Sequence, residues 1–203
     1  MLKKSLFIVL IILILDQVLK IWIKTHMMLG QEFVIFPWFI IHFTENSGMA
    51  FGMEFGGNYG KLALSLFRII AIGAIAWYIY SLIKQRVKPG LIISISLIFA
   101  GAMGNLLDSM FYGIIFNDSF FQVASIFPAS GGYSSFLHGN VVDMFYFPLI
   151  SGVFPQWFPI WGGEDFLFFR PVFNIADSSI SVGVGMLLLF QKRYFKDGKP
   201  IKL

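Results

Sequence analysis

Five charged residues sit inside or at the edge of long apolar runs: Asp16, Lys20, Arg68, Asp108 and Asp177. Asp16 and Lys20 are spaced i,i+4, one helical turn apart, which suits an ion pair. Counting about 1.5 Å of helical rise per residue from the basic ends of four apolar segments puts Lys20, Arg68, Asp108 and Asp177 all roughly 22–27 Å up. A lone charge in lipid costs roughly 3 kcal/mol even on lenient scales, so four charges at one level are expected to meet. They are read either as interhelical salt bridges that fix packing or as a polar site open to the outer leaflet.

The residue types narrow the chemistry. His26, His42 and His138 show no HExxH or other ligand spacing and cysteine is absent, so no metal or other cofactor is expected. A Ser/Lys nucleophile is disfavoured, because Asp16 one turn away keeps Lys20 protonated. Ser178 and Ser179 are read as capping or packing the last helix. Phosphate-cradling glycine loops are missing. Paired carboxylates remain: two acids held together share a proton, and the ionised one acts as base toward water. Asp177, opening the last apolar segment, gains from the helix dipole when ionised. Its partner is Asp108, Asp143, Asp118, Glu164 or Asp165, and periodicity does not choose among them.

The elements that must hold these groups are membrane helices. Of 203 residues 57% are apolar and only 13% charged, with a mean hydropathy of +0.77. This excludes a disordered chain and a water-soluble enzyme. Apolar runs at about 6–23, 62–83, 91–107 and 176–190 read as four spans, since crossing takes roughly 20 residues. Lys3, Lys4, Lys84, Arg86, Lys88, Lys192, Arg193, Lys196, Lys199 and Lys202 then fall at one face, which the positive-inside rule makes cytoplasmic, with both termini inside. The net charge of +4 is thus a topology signal, and no nucleic acid is expected. Lys3-Lys4 before an apolar run imitates a signal peptide; Asp16 and Lys20 interrupt it and no small-x-small site follows, so a retained helix is expected.

Two outer segments remain, about 24–60 and 109–171. In the first, Glu32–Phe36 and Phe39–Thr44 are β-branched and aromatic around Pro37 and predict short strands, followed by a Gly-rich turn at Glu54–Gly60. The second is long and aromatic, with Trp157 and Trp161; it reads as a headgroup-level belt or as a platform for a lipid or apolar peptide. The fold expected is a single domain, 1–203: an integral membrane, mainly α chain of four transmembrane helices, a small strand-rich outer-face subdomain and a long aromatic outer loop.

Five motifs occur in order: Asp16-Gln17-x-x-Lys20, Asn46-x-Gly48-x-Ala50-Phe51-Gly52, Gly104-Asn105-Leu-Leu-Asp108, Gly139-x-Val141-Val142-Asp143 and Phe173-Asn174-x-Ala176-Asp177. Together, over nearly the whole chain, they resemble the lipoprotein signal peptidases (type II signal peptidases), intramembrane aspartyl proteases of bacteria. The resemblance implies that Asp143 and Asp177 are the catalytic pair. It implies that Asp16, Lys20, Asn46, Gly48, Asn105, Asp108, Asn174 and Ala176 line or brace the site. The substrate it implies is a prolipoprotein, cut before a diacylglyceryl-modified cysteine at the outer leaflet of the bacterial inner membrane, with membrane lipids as partners. Inhibition by globomycin-type cyclic peptides is expected with it.

Three departures stand out. Ser109 follows Asp108 where the family has Arg, and Arg68 at similar depth is expected to take its place. Met144 follows Asp143 where Phe is usual. The stretch from Gly113 to Gly139, and the distance from Asp143 to Asp177, are longer than in the family. Two rival readings are a small transporter and a catalytically inert scaffold of the same fold. The first needs polar residues continuing toward the cytoplasm, and Leu6–Leu15 offers none.

Overall fold

The computed structural model describes residues 1–47, 57–168, 171–196 and 198–202. Helix α1 runs Leu2–His26, α2 Gly57–Lys84 and α3 Pro89–Ile115. Each is long and apolar enough to cross a membrane. Helix α4, Ile175–Leu189, is apolar but 15 residues long, and a short α5, Gln191–Tyr194, follows it. Gly48, with Ala50, Phe51 and Gly52, lies outside the described residues. So does the start of the Gly-rich turn expected at Glu54–Gly60; its remainder, Gly57–Gly60, is the first turn of α2.

Helix α3 is central, packing on α1, α2 and α4. Its approach to α4 and to α1 depends on missing side chains. A Cβ on Gly101 would lie 2.1 Å from the Ala176 carbonyl oxygen, and one on Gly104 would lie 2.8 Å from Asp16 Oδ2. Small residues let helix backbones meet where the hydrophobic effect gives little drive, as within lipid. The many exposed apolar side chains on the helices, such as Phe7, Phe67, Ile70 and Leu188, fit a lipid-facing surface.

Strands β1 (Glu32–Phe36) and β2 (Phe39–Asn46) form where the β-branched and aromatic runs predict them. They join β3 (Val141–Tyr146) and β6 (Val172–Phe173) in an antiparallel sheet of order β1-β2-β3-β6. Between β3 and β6 in sequence lies a second antiparallel pair, β4 (Ile150–Val153) with β5 (Asp165–Phe168), whose connecting turn carries an aromatic group. Phe154, Phe158 and Trp161 stack there while Trp157 stays exposed. Near the C-terminus β7 (Phe195–Lys196) and β8 (Lys199–Pro200) make a hairpin that returns to the α2–α3 turn.

Candidate active site

Asp16, Lys20 and Asp108 meet between α1 and α3, all of them buried. Lys20 Nζ lies 2.9 Å from Asp16 Oδ2 and 2.7 Å from Asp108 Oδ2, and it donates to Asn105 Oδ1 at 2.9 Å. The remaining carboxylate oxygens are also satisfied. The Ala176 backbone N–H donates to Asp16 Oδ1 at 2.9 Å, and Gln17 Nε2 donates to Asp108 Oδ1 at 2.8 Å. Such saturation is what an ion cluster in a low-dielectric interior requires. Asp108 also accepts from the Val142 N–H through Oδ2 at 3.3 Å, which ties α3 to β3. The sequence reading ended the third apolar run at Leu107. The helix continues to Ile115, so Asp108 stands mid-helix, neutralised by Lys20.

Asn174 and Asp177 are set by the way α4 begins. Asn174 is the N-cap, its side chain accepting from the Asp177 N–H at 2.9 Å, while Asp177 Oδ2 accepts from the Asn174 N–H at 3.4 Å. This is a capping box, which satisfies two otherwise orphaned donors and fixes the Asp177 side chain in the first turn, where the dipole favours its charge. Ser178 Oγ donates to the Asn174 carbonyl and Ser179 Oγ to the Leu97 carbonyl, so both serines serve packing and capping.

Asp143 comes from β3, opposite Thr44 of β2. It is buried, and Asn174 Nδ2 donates to its Oδ1 at 2.7 Å. Asn174 Nδ2 also reaches the Val142 carbonyl at 3.2 Å and Asn105 Oδ1 at 3.1 Å; Asn105 Nδ2 donates to Asp177 Oδ1 at 2.8 Å. Two asparagine side chains thus bracket Asp143 and Asp177. Burial pushes the Asp143 carboxyl up to about 7, and the Asp177 charge adds to it. A glycine precedes this strand for a reason of space, because a Cβ on Gly139 would lie 2.2 Å from the Asp108 carbonyl oxygen.

Arg68 reaches the same region from α2. Its Nη1 donates to Ser109 Oγ at 3.3 Å, and both Asp177 and Asp108 act on its charge. The guanidinium therefore bears on the residue that replaces the expected arginine. Asp177, Asn105 and Arg68 are half-buried, whereas Asp16, Lys20, Asp108 and Asn174 are fully buried, so the accessible edge of the cluster is the Asp177 side. Ala176 is buried against Gly104. Asn46 ends β2 opposite Val141, two residues from Asp143, and Gly48 lies outside the described residues. Elsewhere, His26 bonds the Trp22 carbonyl, His42 pairs with Glu32 and His138 bonds Ser135.

A second buried polar group escaped the sequence reading. Lys24, one turn beyond Lys20 on α1, pairs with Glu45 and donates to Ser119 Oγ at 3.0 Å. It looked like an ordinary helix-end lysine in an outer segment; only the i,i+4 repeat from Asp16 through Lys20 to Lys24 marks it.

Comparison with known proteins places this arrangement. Residues 8–192 match the model of a family described as signal peptidase (SPase) II. A lipoprotein signal peptidase of Porphyromonas gingivalis is 55% identical over 186 residues, covering 91% of this chain and 81% of the relative. One from Amoebophilus asiaticus is 39% identical, covering 90% and 75%. A solved bacterial membrane enzyme superposes with a TM-score of 0.62 at 27% identity, covering 96% of this chain and 94% of that one.

Proposed function

This chain belongs to the signal peptidase (SPase) II family, and on that premise we propose that it removes the signal peptide from diacylglyceryl-modified bacterial prolipoproteins through a carboxylate dyad, Asp143 and Asp177. The observation that carries the mechanism is the asparagine bracket: Asn174 holds Asp143, Asn105 holds Asp177, and the two amides bond each other. Such a bracket keeps two carboxyls in fixed relation while one of them carries a proton.

In the proposed reaction the dyad holds one proton and a water lies between the two carboxyls. The ionised carboxylate takes a proton as the water oxygen bonds to the scissile carbonyl carbon, and the protonated carboxyl donates to the carbonyl oxygen. Collapse of the resulting diol breaks the C–N bond, and the departing nitrogen takes the dyad's proton. A diol hydroxyl gives its own proton to the other carboxylate, which leaves a carboxyl product and a dyad again holding one proton. The proton belongs to the pair rather than to either residue. Arg68, at the accessible edge beside Asp177, offers positive charge where negative charge develops. Asp16, Lys20 and Asp108 brace α1, α3, α4 and β3 around the dyad through their side-chain and backbone bonds. Asn46, at the end of β2, completes the site on that side, and Gly48 is assigned to the site only through the motif it shares with the family.

The proposed setting is the bacterial inner membrane. Helix α4, with the residues flanking it, is the fourth span, both termini are cytoplasmic, and the dyad lies near the outer leaflet. The whole chain, 1–203, acts as one domain. The substrate's acyl chains lie among membrane lipids against the apolar helix faces, and the aromatic β4–β5 segment limits water near the dyad. Globomycin-type cyclic peptides would compete for the same site.

The test is incubation of the purified protein with a diacylglyceryl-modified prolipoprotein and with its unmodified form, each with and without a chelator. Chelator-resistant cleavage of the modified form before the lipidated cysteine supports the reading. Cleavage abolished by the chelator, or no cleavage by folded protein, contradicts it.

A further inference from the structure

Lys24 is completely buried, and its ammonium group is surrounded on every side. Besides Glu45 and Ser119 it lies over the rings of Tyr133 at 4.9 Å, Phe116 at 5.5 Å and Phe43 at 5.9 Å. Glu45 Oε2 accepts from Asn140 Nδ2 at 3.0 Å, Lys61 Nζ donates to Asn140 Oδ1 at 2.6 Å, and the Asn140 N–H donates to the Tyr133 hydroxyl at 2.6 Å. Ser119 and Tyr133 belong to the 113–139 stretch that leads from the end of α3 to β3. That stretch is stitched to the end of α1, where the Ala124 N–H bonds the Lys24 carbonyl and the Leu29 N–H bonds the Ser119 carbonyl. Buried ion pairs add little net stability over apolar replacements, so stability alone does not account for this one.

The geometry falls on β3. Asn140 stands three residues before Asp143, and Glu45 is the register partner of Val142. Val142 is in turn held by Asp108 and Asn174. The start of β3 is therefore fixed at both ends, by the Asp16–Lys20–Asp108 cluster and by a second cluster around Lys24. We propose that Lys24, Glu45, Tyr133 and Asn140 are positioning residues, a clasp through which the 113–139 segment sets the strand that presents Asp143 to Asp177. This role rests on the dyad reading of the site.

Tyr133→Phe tests it gently, because the ring stays over Lys24 and only the acceptor for the Asn140 N–H is lost. Asn140→Ala removes the link to Glu45 and Lys61. Both variants, their double mutant and Asp177→Asn are assayed on a diacylglyceryl-modified prolipopeptide for kcat and KM, with thermal melting alongside. The expected result is a kcat about tenfold lower in Tyr133→Phe with KM within about twofold and melting unchanged, as for a displaced reacting group. The double mutant should lose less than the product of the single losses, because both act on one anchor. Wild-type kcat in Tyr133→Phe, or a loss no larger than the fall in folded fraction, overturns the clasp. Activity retained by Asp177→Asn overturns the dyad instead, so the two failures are distinguishable.

Discussion

Asn174 Nδ2 donates to Asp143 Oδ1 at 2.7 Å, while Asn174 Oδ1 accepts from the backbone of Asp177 as the N-cap of α4. One side chain thus fixes a strand carboxyl relative to a helix carboxyl. Asn174→Ala should lower kcat about a hundredfold, the scale of a reacting group misplaced by about 1 Å. Loss of the cap should cost about 1 kcal/mol of stability. Steady-state kinetics and thermal melting of the same preparation separate the two effects.

Lys20 neutralises two buried carboxylates at 2.9 and 2.7 Å. Lys20→Met leaves Asp16 and Asp108 facing each other without a cation, and is expected to destabilise the fold by about 3–5 kcal/mol. Lys84→Met, at an exposed position at the end of α2, should stay within about 0.5 kcal/mol of wild type. Denaturation in the same detergent compares them.

Arg68 and Ser109 meet across the α2–α3 interface at 3.3 Å. A double-mutant cycle on kcat/KM with Arg68→Gln and Ser109→Ala should show coupling of at least about 0.5 kcal/mol. Additive losses would mean that the guanidinium acts without Ser109.

Much of this was legible in the sequence because the membrane makes polar residues conspicuous. Counting helical rise set Lys20, Arg68, Asp108 and Asp177 at one depth, and the structure gathers all four into one connected region. Strands β1 and β2 were legible from their β-branched and aromatic runs. Pairing of β2 with β3 was not, because it joins residues about a hundred positions apart and leaves no local period. The third apolar run stops at Leu107, yet helix α3 continues to Ile115, because Lys20 on another helix neutralises Asp108 and hydropathy does not mark the added turns. Lys24 and Glu45 were hidden for the opposite reason. At a helix end and in an outer segment a charge is ordinary, and this pair is buried only once the 113–139 stretch and the sheet fold around it.

The raised pKa of Asp143 has two consequences for pH. Burial, and then the Asp177 charge, push this carboxyl up to about 7, against about 3.9 when unfolded. A dyad that needs one proton should lose activity as pH rises through about 7. Between roughly pH 4 and 7 the folded chain holds a proton that the unfolded chain lacks, so this group's contribution to stability is present at low pH and lost as pH rises through about 7. Asp143→Asn should flatten the stability profile. Melting temperatures and kcat measured from about pH 5 to 8.5 test both.

Cleavage by Asp143→Asn and Asp177→Asn tests the central claim most directly. Each substitution replaces a carboxylate with an amide of nearly the same shape, which leaves the helices and the sheet in place. Each purified variant is mixed in excess with a diacylglyceryl-modified prolipoprotein, and signal-peptide release is followed through a single turnover. The account predicts that both variants melt as folded protein, bind the substrate and release product at least about a thousandfold more slowly than wild type, a barrier increase of about 4 kcal/mol. Near-normal release by either folded variant would contradict it.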